Sequence, residues 1–354
     1  MLIKENAYTG SNRITEVDIL RGICMIAIVI GHMGVLKLKK FVYVFHLPVF
    51  FILSGYFFES SKNLGFGTFV RKKVSQLIVP YYMSCIPIIM LYPILEFARG
   101  GTEAYILGMK NIIIGSLYAS GDDFVFPSGI LPIGAIWFLW GMFWSQLLFW
   151  ILSKLDFKIA FPIAILFAIT ATRVSKSVFL PLSILPGCFA LPYLFVGQFI
   201  RKYNITIKWG KRKAALLYLL GFSAVGYSLM IYFYSGVYIV NCNYGNGLFD
   251  YIGTLPCVMF FGLLSTIAAG HKKISKMFRF YGANSLVFLA IHNIELYVFP
   301  YHSVLKFLTN RFLHFSISSQ LEVLITFIAK IILITLIMRA CCRMPLFRKV
   351  YRIN

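Results

Sequence analysis

EVDILRGICMIAIVIGHMGVL, residues 16–36, decides how the chain is read. The run is long enough for a helix across a hydrocarbon core, which takes about 20 residues. It nevertheless carries Asp18, Arg21 and His32. Those polar residues and the lack of an A-x-A site argue against a cleaved leader, so the run is expected to stay as a span. Arg21 and His32 are eleven positions apart. On an α-helix that is three turns plus about 20°, which puts both on one face about 16 Å apart. Arg21 then sits near the cytosolic mouth, and His32 lies past the midplane. Asp18 precedes Arg21 by one turn, close enough to hold its guanidinium. The plainer alternatives are an arginine that snorkels to headgroups and a histidine that bridges two helices.

Composition agrees with a membrane reading for the whole chain. Of 354 residues, 59% are hydrophobic and 13% charged, and mean hydropathy is +0.80. A soluble domain carries about 25% charged residues. Disorder, collagen and a small disulfide scaffold are excluded on the same numbers. Ten apolar runs follow one another, at 16–36, 41–60, 76–97, 130–153, 157–172, 178–200, 214–235, 249–269, 283–305 and 318–341. The fold class expected is an all-α, polytopic transmembrane helix bundle of about ten spans. Residues 1–354 are expected to form one integral membrane domain with no separate soluble domain. Residues 103–118 are apolar enough to lie flat on the membrane but are interrupted by Lys110.

With the N-terminus cytosolic, 23 Lys and Arg fall on inside segments and 9 on outside ones. That asymmetry places both termini in the cytosol of an inner or plasma membrane. It also accounts for the net charge of +22 without nucleic acid, since no soluble basic stripe is present. Seven cysteines include no CxxC pair, so neither a metal site nor a redox motif is indicated.

Ionisable residues inside a membrane face a bundle interior or a wet cavity. His46, in FVYVFHLPVFFILSGYFFES (41–60), lies at about the depth of His32, so the two can share a cavity; the alternative is an interfacial polar residue. Pro48 is expected to kink that span. His292 and Glu295 stand three apart in YGANSLVFLAIHNIELY (281–297). Glu295 and Lys330 of the tenth run are a possible buried ion pair, read most simply as a structural clamp. Arg71, Lys72 and Lys73 in FVRKKVSQLIVPYY (69–82) lie at the cytosolic face.

These pieces, with IWFLWGMF at 136–143, resemble in order the acyltransferase-3 family of integral membrane O-acyltransferases, closest in flavour to its fucose-4-O-acetylase-like branch. The resemblance covers residues 16–292. It implies transfer of an acyl group, usually acetyl from cytosolic acetyl-CoA, to a hydroxyl of an extracytoplasmic carbohydrate. By position His32 matches the catalytic histidine and Arg21 the essential arginine, with Asp18 and His46 beside them. Arg71, Lys72 and Lys73, with Arg21, match the donor side, and Trp137, His292 and Glu295 are expected on the substrate side. A neutral imidazole suits a general base, and acylation of His32 itself is the alternative. Coenzyme A is anionic, which suits the basic mouth. No metal is implied. The rival readings are a transporter or flippase using the same buried charges, and a non-catalytic partner in polysaccharide export. Donor dependence separates them from an enzyme. The outer loops at 118–132 and 236–250 mix aromatics, Asn and Asp in a way that suits sugars, and equally any solvent-facing loop with interfacial Tyr.

Overall fold

Seven of the apolar runs become long helices, several of them with an internal proline, and three become shorter pieces. The computed structural model describes residues 14–123, 126–203, 213–308 and 318–352. Lys4, Arg13, Lys208, Lys211, Arg212 and Arg311 of the charge count, and residues 124–125 of the first outer loop, lie outside the described residues. The helices are α1 (Thr15–Gly31), α2 (Leu36–Tyr43), α3 (His46–Tyr56), α4 (Glu59–Lys62), α5 (Phe66–Lys73), α6 (Val79–Tyr118), α7 (Phe138–Leu152), α8 (Phe157–Val174), α9 (Ile184–Lys202), α10 (Lys213–Tyr232), α11 (Leu248–Ala269), α12 (Lys272–Ala283), α13 (Ser285–Val298), α14 (Tyr301–Leu308), α15 (Ser319–Cys341) and α16 (Pro345–Tyr351). The described sheet is one two-stranded ribbon, β1 (Val237–Tyr238) antiparallel to β2 (Asn243–Tyr244).

Seven helical stretches among the described residues are long and apolar enough to cross a membrane: Phe66–Tyr118, Gly134–Leu152, Phe157–Val174, Pro181–Lys202, Ala215–Tyr232, Leu248–Ala269 and Ser319–Cys341. They coincide with seven of the ten apolar runs. The protein is therefore a multi-pass membrane helix bundle. The last stretch shows how sequence divides between lipid and protein. Leu324, Ile328, Ile332 and Leu336 are exposed, whereas Lys330, Ile334 and Met338 are buried. Each set repeats every four residues, so the two form opposite stripes on one helix.

The other three runs fold as shorter pieces. Run 16–36 ends as a helix at Gly31 and turns through Met33–Gly34 into α2. Run 41–60 is broken at Val44–Phe45 and not kinked at Pro48. Pro48 falls in the first turn of α3, where its missing N–H leaves no bond unmade. Run 283–305 is broken at Phe299, which is extended ahead of Pro300, as the residue before proline prefers.

Residues 103–118 are the return arm of a helical hairpin. The chain reverses at Gly100–Gly101, where Gly101 has φ 70°, a left-handed conformation natural to glycine. The return arm packs beside the helix that precedes it. Gly108 faces Pro93 and Glu96, and the Tyr81 hydroxyl donates to the Ser116 carbonyl at 2.7 Å.

Helix α1 is held most closely by α12. A Cβ on Gly22 would meet the Phe278 carbonyl, and one on Gly282 would meet the Asp18 carbonyl and the Gly22 nitrogen. Small residues at such crossings let backbones touch, which drives helix association in lipid. Farther round the bundle, Gln146 of α7 donates to Ser54 of α3 at 2.6 Å. A buried tyrosine cluster ties the 236–247 loop down. Tyr193 of α9 shares hydrogen bonds with Tyr244 at 2.6 Å and Thr254 of α11 at 2.8 Å. Its ring stacks on Tyr251 at 4.7 Å. Asp250 closes the base of the loop by accepting from Ser235 and from the Asn246 amide, each at 2.8 Å.

Candidate functional site

A cavity of about 410 Å³ lies where α1, α2, α3, α13, the start of α7 and the two outer loops converge. From α1 it takes Met25, Ile28 and His32. These stand four, seven and eleven positions after Arg21, so cavity wall and arginine share one helical stripe. Arg21 is half-buried at the other end of that stripe, its guanidinium 6.0 Å from the Phe57 ring centroid. Asp18 is buried one turn earlier.

His32 caps α1, its backbone N–H reaching the Ile28 carbonyl. Its side chain is exposed to the cavity, whereas His46 and His292 are buried. His46 also lines the cavity, at the start of α3. Its Nδ1 lies 2.7 Å from the Val42 carbonyl. A carbonyl only accepts, so Nδ1 carries the proton, and in the neutral ring Nε2 keeps the lone pair. The Tyr43 ring sits 5.2 Å from His46 and 5.5 Å from Tyr238. Trp137, Tyr43, Tyr238 and Phe50 make the wall largely aromatic, and Lys39 and Asp122 supply charge.

Behind His32 lies a chain of buried polar groups. The His292 ring is 5.3 Å from that of His32, at 62°. His292 Nδ1 is 2.9 Å from Glu295 Oε1. Lys330 reaches both Glu295 oxygens at 2.9 Å, and its ammonium lies 4.3 Å from the Tyr301 ring centroid. The ion pair between α13 and α15 is therefore formed. Glu295 and His292 stand behind the cavity wall, while Trp137 is part of it.

The basic segment is grouped apart from these residues. Arg71, Lys72 and Lys73 make the last turn of α5. Lys72 donates to Ser61 at 3.1 Å, and Lys73 lies over the Phe69 ring. Arg71 is exposed.

Several contributors give little sign of themselves in the sequence. Asp122 Oδ2 accepts from Asn241 at 2.9 Å, which joins the two outer loops beside the cavity. Asn293 holds the segment before α7. Its Oδ1 accepts from the Ile136 N–H at 3.2 Å and its Nδ2 donates to the Ile133 carbonyl at 3.1 Å. The Tyr297 hydroxyl donates to the Pro132 carbonyl beside it. An asparagine in an apolar run next to a histidine was the one available signal. Asn293→Leu is expected to strand both backbone groups at about 1–3 kcal/mol each. A thermal melt in detergent checks this through a lowered Tm.

Chemically, the cavity offers one accessible imidazole, a second fixed imidazole, a carboxylate, an ammonium and aromatic faces. No curated protein and no solved structure matches the chain. The profile of the Acyl_transf_3 family, described as an acyltransferase domain, matches residues 14–339. That match takes in every helix lining the cavity, and the chain belongs to the acyltransferase-3 family.

Proposed function

We propose that the protein moves an acetyl group from cytosolic acetyl-CoA to a hydroxyl of an extracytoplasmic carbohydrate, a glycan, glycolipid or cell-wall polymer. In this reading it is an O-acetyltransferase of the fucose-4-O-acetylase-like branch. It sits in the inner or plasma membrane with about ten crossings and both termini cytosolic. The observation that carries the reading is the exposed His32 imidazole in an aromatic cavity, on the helix stripe that leads to Arg21.

His32 acts as general base. It takes the proton of the acceptor hydroxyl as the oxygen attacks the thioester carbonyl. A C–O bond forms, the C–S bond breaks, and His32 returns the proton to the departing CoA sulfur. Arg21 binds donor phosphate by charge-assisted hydrogen bonds, with Asp18 steadying it. Arg71, Lys72 and Lys73 add positive charge along the donor's approach. Trp137, Tyr43 and Tyr238 offer faces for a sugar ring, Asp122 accepts from its hydroxyls, and His46 flanks the reacting centre.

The test is CoA release from acetyl-CoA by the purified protein in detergent, with water or a free monosaccharide as acceptor. Turnover that needs His32 supports the reading. A folded protein that neither binds nor turns over acetyl-CoA overturns it in favour of transport. Arg21→Ala is expected to raise the KM for acetyl-CoA about 10–100-fold with a small change in kcat, since each tenfold is the loss of about 1.4 kcal/mol of binding. Initial-rate kinetics over a range of acetyl-CoA concentrations check it.

A further inference from the structure

We infer that His292, Glu295 and Lys330 form a positioning chain that orients His32 and stabilises its protonated form. This rests on His32 being the base. The chain reads outward from its anchored end. Lys330 bonds both oxygens of Glu295, so the carboxylate is ionised and can only accept. The His292 nitrogen facing it, Nδ1, must therefore carry the proton. Nε2 of the neutral ring is then left as an acceptor. It is buried and meets no hydrogen-bond partner among the described residues. A buried acceptor left unpaired is unfavourable by about 1–3 kcal/mol, and the neighbouring ring of His32 belongs to the residue whose protonation the reaction requires.

The ring separation suits that role. Two imidazoles joined by an N–H···N bond of about 2.9 Å, each with a ring radius of about 1.2 Å, have centroids about 5.3 Å apart. His32 and His292 stand at 5.3 Å. His32 is exposed and free of the packing that fixes His292, so it can turn about χ2 to present one N–H to His292 Nε2. Its other nitrogen then faces the cavity with its lone pair. When it takes the hydroxyl proton, the imidazolium is held by His292, which is held in turn by Glu295. The same logic of a carboxylate fixing a tautomer operates in serine hydrolase triads.

A clamp and a positioning chain differ in what a paired substitution does. Glu295→Gln is expected to lower kcat for CoA release by about 100-fold while leaving the KM for acetyl-CoA unchanged. Replacing Glu295 with Leu and Lys330 with Met together removes both charges, and an apolar pair of similar volume keeps such sites folded. The double variant is expected to stay as slow as Glu295→Gln. His292→Gln, read the same way at the other end of the chain, is also expected to lose kcat and keep KM. Parent-like kcat in the double variant, or in His292→Gln, overturns the chain and leaves a clamp. CoA release that persists undiminished in His32→Ala overturns instead the transferase role of His32, on which the chain depends.

Discussion

His32→Ala is expected to abolish measurable transfer and to leave the bundle intact. If His32 is the base, its loss is expected to lower the rate of CoA release by about 10²–10⁴-fold. Folding is expected to change little, for reasons visible at the residue. His32 is exposed to the cavity, so alanine opens no packed space. Its part in ending α1 is played by the backbone N–H bonded to Ile28, which alanine retains. Its φ of −95° and ψ of 9° suit alanine as well. Stability is therefore expected to stay within about 0.5 kcal/mol of the parent. His46→Ala makes the contrast. That ring is buried and its Nδ1 bonds the Val42 carbonyl across the α2–α3 break, so its loss mixes folding with chemistry. Kinetics and thermal melts on the same preparations read both quantities. Full CoA release by folded His32→Ala would mean that some other group takes the proton.

The relation between Arg21 and His32 was legible because the period of a helix is fixed and eleven residues return to the same face. The pairing of Glu295 with Lys330 was legible for a different reason, since opposite charges buried in adjacent spans have few other partners. What was not legible depends on breaks and on distant loops. Hydropathy could not reveal that run 41–60 divides at Val44–Phe45, because both residues are as apolar as their neighbours. It could not reveal that 102–118 turns back at Gly100–Gly101, which hinges on one backbone dihedral. Nor could spacing along α13 show that His292 stands beside His32, because that neighbourhood is set by helix packing. The same holds for Asp122 and Asn241, 119 residues apart and joined by a hydrogen bond. In this fold the stripe that carries Arg21 and His32 was readable from local periodicity, while the groups that surround His32 come from tertiary contacts.

The packing of α1 on α12 leads to the second large effect. Gly282→Val is expected to dismantle the fold around the site. A side chain there would run into the Asp18 carbonyl and the Gly22 nitrogen. Both obstacles are backbone, so no rotamer change relieves them. Overpacking of an ordinary core is unfavourable by about 1–3 kcal/mol, and a contact between two main chains lies at or beyond the top of that range. Relief requires α1 to move off α12, which displaces Asp18 and Arg21 directly and swings the stripe of Met25, Ile28 and His32 out of the cavity. Activity and stability are then lost together, unlike the separate loss of activity in His32→Ala. Gly221→Ala is the matched control. Gly221 lies exposed in α10 with nothing within reach of an added Cβ. Alanine there is expected to be neutral or to add about 0.5–1 kcal/mol through helix propensity. Size-exclusion profiles of the detergent-solubilised variants after a temperature ramp read the difference. A Gly282→Val protein that stays monodisperse to the parent's Tm would mean that α1 and α12 do not cross this closely, and the placing of Arg21 and His32 on the cavity stripe would fall with it.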